Sequence, residues 1–364
     1  MQIKNHLLRY GVLLFVGIGA AIQPVQGKPA ICKPVLWPNI SPVNHPELSI
    51  PASHIEMLEQ WSKKLVHQLN HPLPELHSAG KITPDDPELL ASRLAMQDAG
   101  KIAVLALTYR LTKNKVYFNH TKQTLLDWAR VNQPTGHPID ETKLDGMIWA
   151  YDLIACELAP QDKHTILHWF DTMWSKKNAW IFTPMTRTNN HRIHQIKMLL
   201  LLDKILQRGT DGLRETRNAA QYAQINLDPK TGKSVDYIQR HALFYHNYDV
   251  QAWLEISLLS DCCHTDTDQA FAFLRQKIIT QHIGNEFTHS QVKLDQHRAQ
   301  QGFAYAKAGG KFDIRRAAPT IVTYYTLHAT QPDPKLWKIV EDSPLSPWLV
   351  FLKARRLLWQ STQM

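Results

Sequence analysis

Apolar residues recur at three- and four-residue intervals along almost the whole chain, and alternating two-residue patterns are scarce. Between 54 and 69 the series is Ile55, Leu58, Trp61, Leu65 and Leu69, which predicts a helix. The same signal predicts helices over 88–111, 119–131, 142–158, 161–176, 189–207, 211–226, 235–260, 266–282, 315–329 and 346–359. Turn-forming stretches separate them, notably Pro84-Asp85-Asp86-Pro87, Gln133-Pro134-Thr135-Gly136, Asp228-Pro229-Lys230-Thr231-Gly232 and Gly309-Gly310.

Two kinds of helix alternate. Segments 102–111 and 196–206 are apolar on more than one face, as helices buried between neighbours are. Segments 119–131 and 161–176 are amphipathic. An all-α fold with inner and outer layers of antiparallel helices, an incomplete (α/α) toroid, produces that alternation. Another compact multi-helix domain is the alternative. Neither a repeat nor a linker divides the chain, so residues 28–364 are expected to form one domain.

The first 27 residues read differently. Lys4 and Arg9 precede an apolar stretch from Gly11 to Ile22, and Val25-Gln26-Gly27 offers small residues for a signal peptidase. The stretch is short for a bilayer span, so a cleaved export signal is preferred over an uncleaved anchor. A periplasmic or secreted protein with no stable membrane insertion after cleavage is expected. The formal net charge of +9 suits a polyanionic partner. It is not gathered into a basic stripe, which argues against nucleic acid.

Four cysteines, Cys32, Cys156, Cys262 and Cys263, could form disulfides in an oxidising compartment. A bridge from Cys32 to a distant partner is one option. Adjacent Cys262 and Cys263 are not expected to pair, because that ring would be strained. No Cys-x-x-Cys spacing exists, so structural zinc is not expected.

Chemistry concentrates in two polar clusters, Asn189-Asn190-His191 and Arg240-His241-Ala242-Leu243-Phe244-Tyr245-His246-Asn247-Tyr248. Both are rich in hydrogen-bond donors, and neither holds a carboxylate before Asp249. Such a site suits an acidic substrate. Helix capping accounts for one of the two asparagines. The functional reading has Asn190 donating to a carboxylate, with His191 as a second donor or as a base. His194, three residues after His191, suggests a metal pair only weakly among 19 histidines, and no acid completes it. On a helix starting near Asp236, His241, Tyr245 and Tyr248 would share one face. The ordinary alternative is that the aromatics feed the core while Arg and His meet water.

These clusters, in this order, resemble the alginate lyase family, the α/α-toroid poly(β-D-mannuronate) lyases and their relatives. Upstream, Ala103 to Thr112, Trp128, Asn132 to Gly136, and Trp149 to Ile154 are similar to that family's segments. Phe287-Thr288-His289-Ser290 and Lys293-Leu294-Asp295 are a weaker later match. The likeness spans roughly 85–330 and implies a polysaccharide lyase that needs no cofactor or metal. It implies that Asn190 and His191 neutralise a uronate carboxylate and that Tyr248 is the catalytic phenol. Asn189, His241, Tyr245 and His246 stand beside them as substrate-binding candidates. One position departs. The family has Arg directly before Ala-Leu; here that residue is His241, with Arg240 one place earlier. One residue turns a helical side chain by about 100°. Either Arg240 reaches the site by its long stem, or His241 takes its place.

The expected reaction is β-elimination on an acidic polysaccharide, alginate or polymannuronate first. Removing H5 builds charge on the carboxylate, where a fixed donor is worth about 2.7–4 kcal/mol. A base for H5 and an acid for O4 each contribute roughly 10²–10⁴-fold. In mannuronate both lie on one face, so Tyr248 could serve both roles. In guluronate they lie on opposite faces, and His191 would be the base. Trp37, Trp128, Trp149 and Trp180 are candidates for stacking on sugars, with core packing the plainer fate. The alternatives are a glycoside hydrolase using Asp140, Asp145 or Asp152 as paired acids, and a non-catalytic polyuronate-binding protein.

Overall fold

The computed structural model describes residues 33–37 and 50–361. The expected signal segment and Cys32 lie outside them. Among the described residues there is no β-strand, only two isolated bridges, Leu227 with Ser234 and Glu286 with Gly310.

The helices are α1 (Ala52–Leu65), α2 (Pro87–Ala95), α3 (Gln97–Thr112), α4 (Lys115–Val131), α5 (Asp145–Ile154), α6 (Pro160–Asn178), α7 (Asn190–Ile205) and α8 (Gly209–Asn226). They continue as α9 (Val235–Arg240), α10 (Leu243–Leu259), α11 (His264–Ile279), α12 (Lys293–Gln300), α13 (Ala318–Leu327), α14 (Pro334–Asp342) and α15 (Pro347–Ser361). Helices α3, α5, α7, α10, α13 and α15 pack in succession, and α15 returns to α3. Helices α1, α4, α6, α8, α11 and α14 pack outside them. This is the α/α toroid the alternation predicts.

Sequence explains the layering. From Ile102 to Leu107 every residue of α3 is fully buried, so no face is left for water. Ile193 to Leu202 in α7 is equally enclosed. Close approach needs small residues: a Cβ on Gly146 of α5 would stand 2.6 Å from the Ala99 carbonyl of α3. Where inner helices carry charge, it is paired. Lys101 Nζ donates to Asp98 Oδ1 at 2.8 Å, and Arg355 grips both oxygens of Glu255 at 2.6 and 2.9 Å. Breaking one partner of such a pair costs about 3–5 kcal/mol.

Three expectations need correcting. The 88–111 helix is two helices: Asp86 starts α2 by accepting from the Leu89 amide at 2.9 Å, and α2 ends at Ala95, with Met96 between it and α3. The 235–260 helix is broken after Arg240, because His241 takes a left-handed conformation with φ 50°. Cys262 and Cys263 are joined to each other; Cys263, at φ 67°, turns the chain between α10 and α11 and brings the sulfurs together. Cys156 is also disulfide-bonded. The structure adds two helices, α12 and α14, to those the periodicity predicts.

Candidate active site

The first wall of the cleft is the N-terminus of α7. Asn189 caps it, its Oδ1 accepting from the His191 amide at 3.1 Å. Tyr222 donates to the Asn189 carbonyl at 3.1 Å, fixing the entry of the chain. The Asn190 amide donates to Asp236 Oδ2 at 2.7 Å. Its side-chain Oδ1 is buried with no hydrogen-bond partner among the described residues. A buried amide oxygen left without a partner costs stability. His191 stands edge-on to His137, ring centres 5.6 Å apart, and His137 in turn meets Trp180 at 5.0 Å. Burial, then the neighbouring His137 and Arg240, lower the His191 pKa to about 4, so its imidazole is neutral at pH 7.

The second wall is the break between α9 and α10. Glu286 replaces a local cap: its oxygens accept from the Leu243 and Phe244 amides at 2.7 and 2.9 Å. Burial pushes Glu286 up to about 7 despite those bonds. Arg240 ends α9 with Nε 3.3 Å from Asp236 Oδ1 and Nη1 on Asp295, and its guanidinium lies 3.9 Å from the centre of the Tyr245 ring. Burial opposes its charge, but Tyr245, Asp295 and Asp236 outweigh that and raise its pKa. Beneath, burial and Asp236 push Asp249 well above the carboxylate range. Burial raises Asp236 as well, against the Arg240 guanidinium and the Asn190 backbone amide, which favour its anion.

Tyr248 sits two turns into the region, its ring 4.1 Å from that of His194. His194 Nδ1 is 2.8 Å from Thr142 Oγ1, which locks the ring under the phenol. The Tyr248 hydroxyl makes no hydrogen bond among the described residues. Burial above all, then Tyr245 and Asp249, raises its pKa, so the phenol is protonated at neutral pH.

Asn190, His191, Arg240, Tyr245 and Tyr248 line one cavity of about 200 Å³, together with Ser78 to Gly80, Arg298 and Tyr305. Three candidates fall outside it. His246 is fully buried between Ser234 Oγ at 3.2 Å and the Ala270 carbonyl at 3.0 Å. His241, turned away by its left-handed backbone, lies 3.2 Å from the Asn285 carbonyl and beside His289. Asn189 is occupied as the α7 cap. Sequence reasoning missed Arg298, which donates to Tyr245 Oη at 3.1 Å and to the Lys81 carbonyl at 2.8 Å. It also missed His137 and the 78–80 loop. No motif marks them, since fold alone brings them to α7 and α10.

The three acids of the hydrolase alternative have other employment. Asp140 Oδ1 accepts from the Ser78 amide at 2.7 Å and the Ala79 amide at 2.6 Å, holding the 78–80 loop on the cleft rim. Asp145 pairs with Lys197 at 2.5 Å. Asp152 takes the Val35 and Leu36 amides, both at 2.8 Å, and seats residues 33–37 on α5. Trp37, Trp128 and Trp149 are core residues, whereas half-buried Trp180 borders the site through His137.

A helical toroid with a cleft of amide, imidazole, guanidinium and phenol groups is the architecture of the α/α-toroid polysaccharide lyases. The alginate lyase family model matches residues 44–270. The chain belongs to this family, whose enzymes act by β-elimination. Among solved structures, an alginate lyase from Bacteroides ovatus has TM-score 0.58 and 14% identity, over 82% of this chain and 93% of that one. Alginate lyase A1-III from Sphingomonas species A1 has TM-score 0.54 and 13% identity, over 84% and 91%. A histidine-to-alanine variant of A1-III complexed with a tetrasaccharide has TM-score 0.55 and 13% identity, over 79% and 89%. No curated protein matches the sequence.

Proposed function

We propose that the protein cleaves mannuronate-rich alginate. The observation that carries this reading is the Tyr248 hydroxyl, unpartnered and sharing one cavity with Asn190, His191 and Arg240. The Asn190 side-chain Nδ2 and the neutral His191 ring donate to the uronate carboxylate, and Arg240 supplies a positive charge whose attraction grows as H5 leaves. Arg240, not His241, fills the family's arginine role. Tyr248 takes H5 as phenolate and returns the proton to O4. The raised phenol pKa makes base formation the costly step, so kcat/KM climbs with pH above neutrality.

The tetrasaccharide bound by the A1-III variant supports an oligosaccharide-sized substrate here. Residues 1–27 are read as a cleaved export signal, and residues 28–364 as one domain, in line with the compact unit from Lys33 to Met364. A mature protein whose mass starts at Lys28 is the expected result; an intact N-terminus would overturn cleavage.

The test is the absorbance of unsaturated product on polymannuronate, polyguluronate and other polyuronates. Tyr248→Phe and His191→Ala should each lose roughly 10²–10⁴-fold in kcat on polymannuronate. No product from any polyuronate would sink the reading. Cleavage confined to guluronate blocks would make His191 the base instead.

A further inference from the structure

Glu286 does not line the cavity, but the loop that carries it, between α11 and α12, holds both sides of the α9–α10 break. The Gln291 amide donates to the Gln239 carbonyl of α9 at 2.8 Å, and the Phe287 amide to the His241 carbonyl at 3.0 Å. The Glu286 carboxyl takes the amides of Leu243 and Phe244, the first two residues of α10. Tyr248 stands one turn further along the same helix. The Glu286 backbone is pinned in turn, donating to the Gly310 carbonyl at 3.1 Å and accepting from the Gly309 amide at 2.8 Å. Both its neighbours are left-handed, Asn285 at φ 62° and Phe287 at φ 60°. A bulky side chain rarely adopts that conformation, and such strain persists only where surrounding contacts impose it. Here it aims a carboxyl at the start of a helix.

Other buried acids of the fold face cations: Asp98 has Lys101, Glu141 has Lys177 and Glu255 has Arg355. Glu286 is buried without one, and its oxygens meet only the two amides among the described residues. The ionisable groups around it are Tyr237 of α9, His241 at the break, Tyr245 of α10, and Tyr305 and Lys307 after α12. Arg316 lies over the neighbouring Phe244 ring. None of these bonds to the Glu286 carboxyl among the described residues. Two amides and the positive end of a 17-residue helix favour the anion, whereas burial favours the acid. That opposition sets proton exchange at about 7. A carboxylate accepts from both amides; a carboxylic acid sets an O–H donor against one of them.

We propose that Glu286 is a positioning residue for Tyr248 and Arg240, its carboxylate locking the start of α10 against α9 and its protonation loosening that lock. This rests on the proposed role of Tyr248 and adds a proton-controlled step to it. Activity and stability then diverge with pH. The folded chain binds the Glu286 proton more tightly than the unfolded one, so raising pH from about 4.5 to about 7 lowers global stability while completing the cap.

The experiment joins hydrogen exchange to kinetics. In the unaltered protein, the 243–248 amides, corrected for intrinsic rates, should gain about ten-fold protection between pH 6 and pH 8, the worth of a helix cap. Glu286→Gln, which sets an NH2 group against one amide at every pH, should abolish that gain. On polymannuronate its kcat should match wild type at pH 6 and fall about ten-fold below it at pH 8, with KM little changed. Glu286→Asp, which keeps a carboxylate, should recover part of the difference. Glu286→Gln should also gain stability relative to wild type as pH rises from 5 to 8. Protection that does not change with pH in the unaltered protein overturns the inference, as do kcat profiles that stay parallel or a relative stability that does not move. If the unaltered protein cleaves no polyuronate, the proposed function falls, while the exchange result still decides the proton-controlled cap.

Discussion

The start of α7 and the α9–α10 break look alike in sequence, both crowded with amide, imidazole and guanidinium groups, but the fold treats them oppositely. At α7, hydrogen-bonding capacity is left over: Asn190 Oδ1 has no partner and His191 faces the cavity as a neutral ring. At the break almost everything is spoken for. Arg240 is held by Asp236 and Asp295, Tyr245 by Arg298, and His246 by Ser234 and Ala270. Asn247 donates to the Arg316 carbonyl at 3.1 Å and accepts from Thr320 at 2.8 Å. Tyr248 keeps its hydroxyl free on the cavity side, and beneath it both oxygens of Asp249 lack a hydrogen-bond partner among the described residues. His246 and Asn247, fully paired and away from the Asn190 cavity, are scaffold, whereas Arg240 is paired and still lines that cavity.

The largest test of that division is Asp236, the fully buried acid that joins the two regions. It takes the Asn190 amide and the Arg240 guanidinium together. Asp236→Ala strands a buried cation and a buried N–H, and should cost about 3–5 kcal/mol in chemical denaturation. Activity should fall as well, because Asn190 and Arg240 both lose their anchor. A loss under about 1 kcal/mol would show that the second region does not depend on its paired charges.

A smaller effect separates the buried histidines from the carboxylates. His191 and His246 are both lowered to about 4, chiefly by burial. As pH falls below the ordinary histidine value of about 6.5, the unfolded chain takes up protons that the folded one refuses until about 4. Each histidine therefore removes stability over that window, and the loss levels off below it. Asp152, raised to about 6, and Glu286, raised to about 7, act in the opposite sense, because the folded state binds their protons first. Comparing wild type with His246→Gln isolates one group. The variant's stability should fall less steeply between pH 6.5 and 4, by up to about 1.4 kcal/mol per pH unit. Parallel curves would mean that His246 takes up its proton at the same pH in the folded and the unfolded chain. Its kcat should follow the wild-type pH profile, since its ring lies outside the cavity.

What the sequence disclosed follows the range of the forces involved. All-round apolarity at 102–111 and 196–206 reports burial directly, so the inner layer was readable. Asn190 and His191 were readable because a single cap cannot employ both asparagines and a histidine. The break at His241 was not, because the cap for α10 is Glu286, remote in the chain and carrying no local mark. Arg298 escaped for the same reason: its helix, α12, is short and polar, and only the fold brings it to Tyr245. Asp140 looked like a catalytic acid because nothing nearby in sequence shows that the 78–80 loop consumes it.

The smallest effect is expected at His241, where the family has arginine and the comparison is most exposed. A helix running through this position would have aimed His241 into the cleft alongside Tyr245 and Tyr248. The left-handed turn at φ 50° instead points it at Asn285 and His289, and places Arg240 in the cavity. Glycine adopts that conformation without the penalty a side chain incurs. His241→Gly should therefore shift stability by less than about 1 kcal/mol and leave kcat/KM within about two-fold of wild type. Arg240→Ala, by contrast, should lose at least about a hundred-fold. If His241→Gly were the more damaging of the two, the charge opposite the substrate would come from the imidazole. The one-residue departure from the family would then be a change of chemistry and not a change of register.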